Sequence, residues 1–123
     1  MKNLSDVAKQ IREFRDARNW AQFHNPKDMA IAISIEANEL LELFLWKTPA
    51  EVEKRIASHR TEITDEIADV AIYLVELADN LGIDLTAAME AKIRKNNIKY
   101  PAETVRGSSK KYTEYTGEKE SIE

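Results

Sequence analysis

Ile63-Thr64-Asp65-Glu66-Ile67-Ala68-Asp69-Val70-Ala71-Ile72-Tyr73-Leu74-Val75-Glu76-Leu77-Ala78-Asp79-Asn80-Leu81-Gly82 decides the fold. Ile63, Ile67, Val70, Leu74, Leu77 and Leu81 recur at alternating steps of four and three residues, the period of a helix seamed against other helices. The predicted helix runs from about Arg60 to Leu81. Gly82 follows as its C-terminal cap, because glycine accepts the left-handed backbone found there.

Working outward, the punctuation defines further helices. Asn25-Pro26 opens one that continues to about Trp46: asparagine caps, and proline occupies the first turn, where its missing N–H costs nothing. Thr48-Pro49 repeats that start and opens a shorter charged block ending near Ser58. Upstream, Leu4, Val7, Ala8, Ile11 and Phe14 predict a helix from about Ser5 to Trp20. Downstream, Asp84 can cap a last helix that reaches about Asn97 before Tyr100-Pro101 ends it.

Without hairpin turns or β-branched alternation, the expected class is all-α. Four main helices and one short one should form a four-helix-type bundle. Residues 1–115 read as one domain and 116–123 as a charged, disordered tail. The Asn25–Trp46 block is apolar over most of its circumference, as expected of a helix buried on more than one side. The chain is therefore expected to pair with itself, as a homodimer or as a dimer of dimers forming a homotetramer.

Composition narrows the function classes. The 123 residues carry a net charge of −4 and no cysteine, which excludes disulfides and thiolate chemistry. No apolar run approaches the ~20 residues that span a bilayer, and Met1-Lys2-Asn3-Leu4-Ser5-Asp6 has no apolar block of signal-peptide type. The expectation is a soluble, cytoplasmic protein with no membrane partner. A mildly acidic chain with no concentrated basic face also predicts no nucleic-acid partner.

Two acidic pairs, Glu36-x-x-Glu39 and Glu66-x-x-Asp69, stand inside these apolar helices, where carboxylates are unexpected. Residues three apart share a helix face, so two packed helices would gather four negative charges in a partly buried place. An oxygen-only set of that kind suits Mg²⁺ or Mn²⁺. An ion-pair network with Lys47 or Lys92 would need more cations than those lysines provide. Di-iron bundles use Glu-x-x-His, and neither pair contains a histidine. Glu42, Glu51, Glu53, Glu62, Asp65 and Glu76 read as solvated surface acids.

The spacing of these pairs, twenty-six residues apart, resembles the pattern of the all-α nucleoside triphosphate pyrophosphohydrolases of the MazG-like superfamily. The likeness is nearest to the dCTP pyrophosphatase branch. It extends through Arg18-Asn19-Trp20-Ala21-Gln22-Phe23-His24, Glu39-Leu40-Leu41-Glu42-Leu43-Phe44-Leu45-Trp46-Lys47 and Asp69-Val70-Ala71-Ile72-Tyr73-Leu74. It continues with Asn96-x-x-x-Tyr100-Pro101 and Arg106-Gly107-Ser108-Ser109-Lys110-Lys111-Tyr112-Thr113-Glu114. Asn38 departs from the pattern, because relatives commonly carry glycine there.

The resemblance implies Mg²⁺-dependent hydrolysis of a deoxynucleoside triphosphate to monophosphate and pyrophosphate, with dCTP or a modified dCTP favoured. It implies Glu36, Glu39, Glu66 and Asp69 as metal ligands, with Glu36 also orienting the attacking water. Trp20 and Trp46 would lie near the nucleobase, with His24 donating to base or phosphate. Tyr73, one turn after Asp69, would meet the sugar. Lys92 and Asn96 on the last helix, and Tyr100 just after it, would serve the substrate, and Lys110, Lys111 and Tyr112 would either close over the phosphates or form a solvated basic loop. The same chemistry on dUTP or a non-canonical purine triphosphate is the alternative substrate class. A helical oligomerisation module is the non-enzymatic one.

Overall fold

The computed structural model describes residues 1–111 and 113–114. The order is α1 (Leu4–Ala17), a 3₁₀ turn (Ala21–Phe23), α2 (Pro26–Glu42), α3 (Pro49–Ser58), α4 (Arg60–Asn80), α5 (Leu85–Lys99) and α6 (Ala102–Val105). There is no strand among the described residues, so the protein is all-α as expected. No helix among them is long and apolar enough to cross a membrane. The chain divides into two compact units, Met1–Leu85 and Thr86 onward.

In the first unit α4 is the common support, against which α1, α2 and α3 all pack. Ala8 and Ile11 of α1 meet Val75 of α4 in a small core flanked by Leu4, Val7 and Leu85. Met29 of α2, at 1% exposure, is the most deeply buried side chain among the described residues. Short-range signals set the helix starts. Asn25 Oδ1 accepts the Asp28 N–H at 2.9 Å with Pro26 at the first position. Thr48 and Glu51 cap one another reciprocally at the start of α3.

Gly82 closes α4 as predicted. Its φ is +68°, its N–H donates to the Asp79 carbonyl, and the Ile83 N–H donates to the Ala78 carbonyl at 2.8 Å. These two bonds form a Schellman cap.

Helix ends without such signals differ from the expectation. α1 stops at Ala17 rather than near Trp20, because Asn19 turns to φ +55° and the Trp20 N–H returns to the Arg15 carbonyl. α2 stops at Glu42 rather than Trp46. Pro49 requires extended backbone at Thr48, and the chain turns at Trp46, φ +60°, to reach it. α5 continues to Lys99, two residues beyond Asn97, and α6 is an additional short turn after Pro101.

The apolar faces are also less covered in the single chain than their patterns predict. On α4 the stripe splits: Ile63, Val70 and Leu77 are half-buried, whereas Ile67, Leu74 and Leu81 are exposed. On α2, Ile31, Ile35 and Leu41 face outward, so the helix is not buried on more than one side within one chain.

Candidate metal centre

The 3-residue spacing on α2 and α4 does what helix geometry requires. Oxygens of Glu36, Glu39 and Glu66 lie within 4.8 Å of one another, an arrangement able to hold a metal ion. Asp69, on the next turn of α4, is exposed and stands outside that group. Its charge nonetheless acts on Glu36, Glu66 and Tyr73.

The electrostatics are those of carboxylates forced together. Burial, followed by the nearby Glu39, Asp69 and Glu66, pushes the Glu36 carboxyl up to about 7. Glu66 is raised in the same direction, first by burial and then by Glu39. Glu36 Oε2 and Glu66 Oε2 are buried without any hydrogen-bond partner. Buried carboxylate oxygens are normally paired or bound to metal. The ion pairs Lys9–Glu13, Arg12–Asp79, Arg15–Asp16 and His24–Glu76 do not reach the cluster. Lys47, considered as a neutralising cation, instead acts on Glu51. An all-oxygen set with orphaned buried oxygens fits a hard divalent cation.

Tyr73 stands beside this cluster. Burial raises its phenol, and the charges of Glu36, Asp69, Glu76 and Glu39 add to that effect. Trp20 lies at an aromatic corner, edge-on to Phe14 with centroids 5.9 Å apart and tilted against His24 at 6.4 Å. Arg18 covers the other ring, its guanidinium carbon 3.6 Å from the Phe14 centroid. Trp46 is 91% exposed in the turn after α2.

Lys92, Asn96, Tyr100, Lys110 and Lys111 belong to the second unit. Lys92 and Asn96 are exposed there, and Met89 of the same stripe is 45% exposed, so the helix face they continue is open within its own unit. Lys110 and Lys111 lie in a turn whose backbone N–H groups donate to Ser108 Oγ and Glu114 Oε2. Tyr112 lies outside the described residues.

The main departure from the sequence expectation is Glu76. Expected as a solvated acid, it is 3% exposed, and His24 Nδ1 lies 2.7 Å from its Oε2. The signal was its register: Asp69, Tyr73 and Glu76 follow at steps of four and three, on one face of α4.

With this geometry, the relatives are informative. A model of the MazG-like family matches residues 31–115. The chain is 42% identical over 113 residues to dCTP pyrophosphatase 1 of Homo sapiens and 39% identical to the protein of that name from Rattus norvegicus. Each alignment covers 90% of this chain and 66% of the relative, so the chain spans just under two thirds of their length. The crystal structure of a pyrophosphatase from Archaeoglobus fulgidus DSM 4304 superposes with a TM-score of 0.77 at 40% identity. That match covers 82% of this chain and 94% of the archaeal one.

Proposed function

The chain belongs to the MazG-like family, and from that premise we propose that it is a metal-dependent nucleoside triphosphate pyrophosphohydrolase. The observation that carries this assignment is the pair of buried, partnerless oxygens on Glu36 and Glu66, gathered with Glu39. Glu36, Glu39 and Glu66 would hold Mg²⁺ or Mn²⁺, with Asp69 as a fourth ligand from the adjacent turn. The bound ion would neutralise triphosphate charge and favour departure of pyrophosphate.

The chain's own groups account for the rest. Glu36, besides holding the ion, would orient the attacking water. The water oxygen bonds to the α-phosphorus and the bond to the α–β bridging oxygen breaks. The monophosphate, pyrophosphate and one released proton balance the reaction. Exposed indole faces at Trp20 and Trp46 offer stacking surfaces for a base, each worth ~1–3 kcal/mol. Tyr73, between the acidic cluster and Glu76, would face the sugar. For Lys92, Asn96, Tyr100, Lys110, Lys111 and Tyr112 a role in substrate binding rests on the sequence resemblance alone.

The substrate class follows the relatives named dCTP pyrophosphatase 1: a deoxynucleoside triphosphate, dCTP or a modified dCTP first, in cleansing a cytoplasmic nucleotide pool. Self-association as a homodimer or homotetramer would cover Ile67, Leu74 and Leu81 with Ile31 and Ile35.

A panel of deoxy- and ribonucleoside triphosphates with Mg²⁺, assayed separately for pyrophosphate and phosphate, tests the assignment. Pyrophosphate release, fastest from dCTP, is expected. Preference for dUTP or a non-canonical purine triphosphate would move the substrate and keep the chemistry. No release from any triphosphate would leave a helical oligomerisation module.

A further inference from the structure

Glu76 is the one fully buried charged residue among those described, at 3% exposure. A buried carboxylate is costly unless it is paired and hydrogen-bonded. Its partner, His24, comes from the connection between the 3₁₀ turn and α2. The local backbone does not need that contact. The His24 N–H already returns to the Ala21 carbonyl, and Asn25 alone caps α2.

The contact does control the imidazole. A carboxylate at Nδ1 selects the ring form with a proton on that nitrogen, fixes the ring's orientation and leaves Nε2 as the remaining polar atom. The ring lies against Trp20, which is 43% exposed and edge-on to Phe14. One turn before Glu76, Tyr73 lies within reach of the charges of Glu76, Glu36 and Asp69 together. Glu76 thus stands between the carboxylate cluster and the aromatic corner.

The structure assigns Glu76 as a positioning residue: it holds His24 through Nδ1 so that Nε2 meets the polar edge of a nucleoside stacked on Trp20. The assignment rests on the nucleotide-hydrolase function proposed above, which supplies the ligand. Glu76 itself touches no substrate, and its effect on binding passes through His24.

The test uses the full chain with Mg²⁺ and dCTP. It reads dCTP affinity from tryptophan fluorescence, steady-state pyrophosphate release, and the ¹⁵N ring signals of His24. His24→Ala and Glu76→Met should each raise Kd and KM roughly tenfold, the scale of one lost hydrogen bond, with kcat within about threefold. The double variant should bind dCTP no more weakly than His24→Ala alone, because Glu76 acts through that ring. Glu76→Gln should stay within about threefold of the wild type, since its amide oxygen still accepts from Nδ1–H. The wild-type ¹⁵N spectrum should show Nδ1 protonated in the neutral ring, and Glu76→Met should lose that preference.

Multiplying losses in the double variant, or unchanged affinity in Glu76→Met, would overturn the assignment. If Glu76→Met does not fold, Glu76→Asp, which keeps the charge and retracts the acceptor, should raise Kd about threefold. Unchanged affinity in Glu76→Asp or in His24→Ala would likewise overturn it. Wild-type protein that binds dCTP without releasing pyrophosphate would remove the hydrolase function and leave the positioning role standing. Protein that neither binds nor hydrolyses dCTP would remove both.

Discussion

The two halves of α4 satisfy their acids in opposite ways. In the C-terminal half, Glu76 bonds His24, Asp79 bonds Arg12, Val75 and Ala78 are buried, and a Schellman cap closes the end. In the N-terminal half, Glu66 buries an oxygen with no partner, Asp69 is exposed, and Ile67 is 53% exposed. What differs is where a partner comes from: α1 supplies the Arg12 guanidinium and the connection before α2 supplies the His24 imidazole to one half, while the buried oxygen of Glu66 in the other half has no partner among the described residues. The first half is complete within the chain, and the second is left with a buried carboxylate oxygen that no described residue satisfies.

Substitutions should therefore separate activity from stability. Glu39→Gln removes a charge that crowds Glu36 and Glu66, so turnover should fall at least ~100-fold while the metal-free protein melts no lower than the wild type. Calorimetry alongside kinetics reads both. A clear loss of stability would mean that the cluster holds the fold together, and the contrast between the halves would collapse.

Glu76→Ala should leave kcat near the wild-type value, raising KM through His24, and lower stability instead. It strips the partner from His24 and opens space in the buried half, at a cost of about 3 kcal/mol, visible in urea unfolding. A cost near zero would show that the pair adds nothing to the fold.

The pH dependence of the metal-free protein should report the strained half. Glu36 is raised from its ordinary 4.5 to about 7, so the folded chain holds this proton more tightly than the unfolded chain. That contribution is fully present below about pH 4.5 and is lost as pH rises through about 7. Melting temperature should decline across this window from this group, and Glu66 acts in the same direction. Mg²⁺ favours the charged form, so its stabilisation should be small at pH 5 and grow toward pH 8, reaching ~2.7 kcal/mol at a hundredfold excess over Kd. A Mg²⁺ effect independent of pH would place the ion elsewhere.

The same contrast explains what the sequence made legible. Starts at Asn25-Pro26 and Thr48-Pro49 and the stop at Gly82 are written in neighbouring residues, and the structure reproduces them. The clustering of Glu36, Glu39 and Glu66 was legible because helical spacing alone puts acids on one face. Asp69 shares that spacing, yet a side chain's reach and exposure depend on its neighbours, and it stands outside the group of three. Glu76 was misread because its burial depends on a histidine 52 residues away. The turn at Trp46 was hidden inside an apolar run with no glycine to mark it.

Gly82 gives the smallest effect and bounds the self-contained half. Its φ of +68° suits glycine, while a β-carbon built there meets no atom within 4 Å. Gly82→Ala should therefore cost only the backbone term, about 1 kcal/mol, with no packing penalty. Because Gly82 lies more than three helical turns beyond Asp69, kcat for pyrophosphate release should stay at the wild-type value. A loss of turnover larger than the loss of stability would show that α4 transmits strain along its length. The complete half would then be shaping the incomplete one, and the division at mid-helix would have to be abandoned.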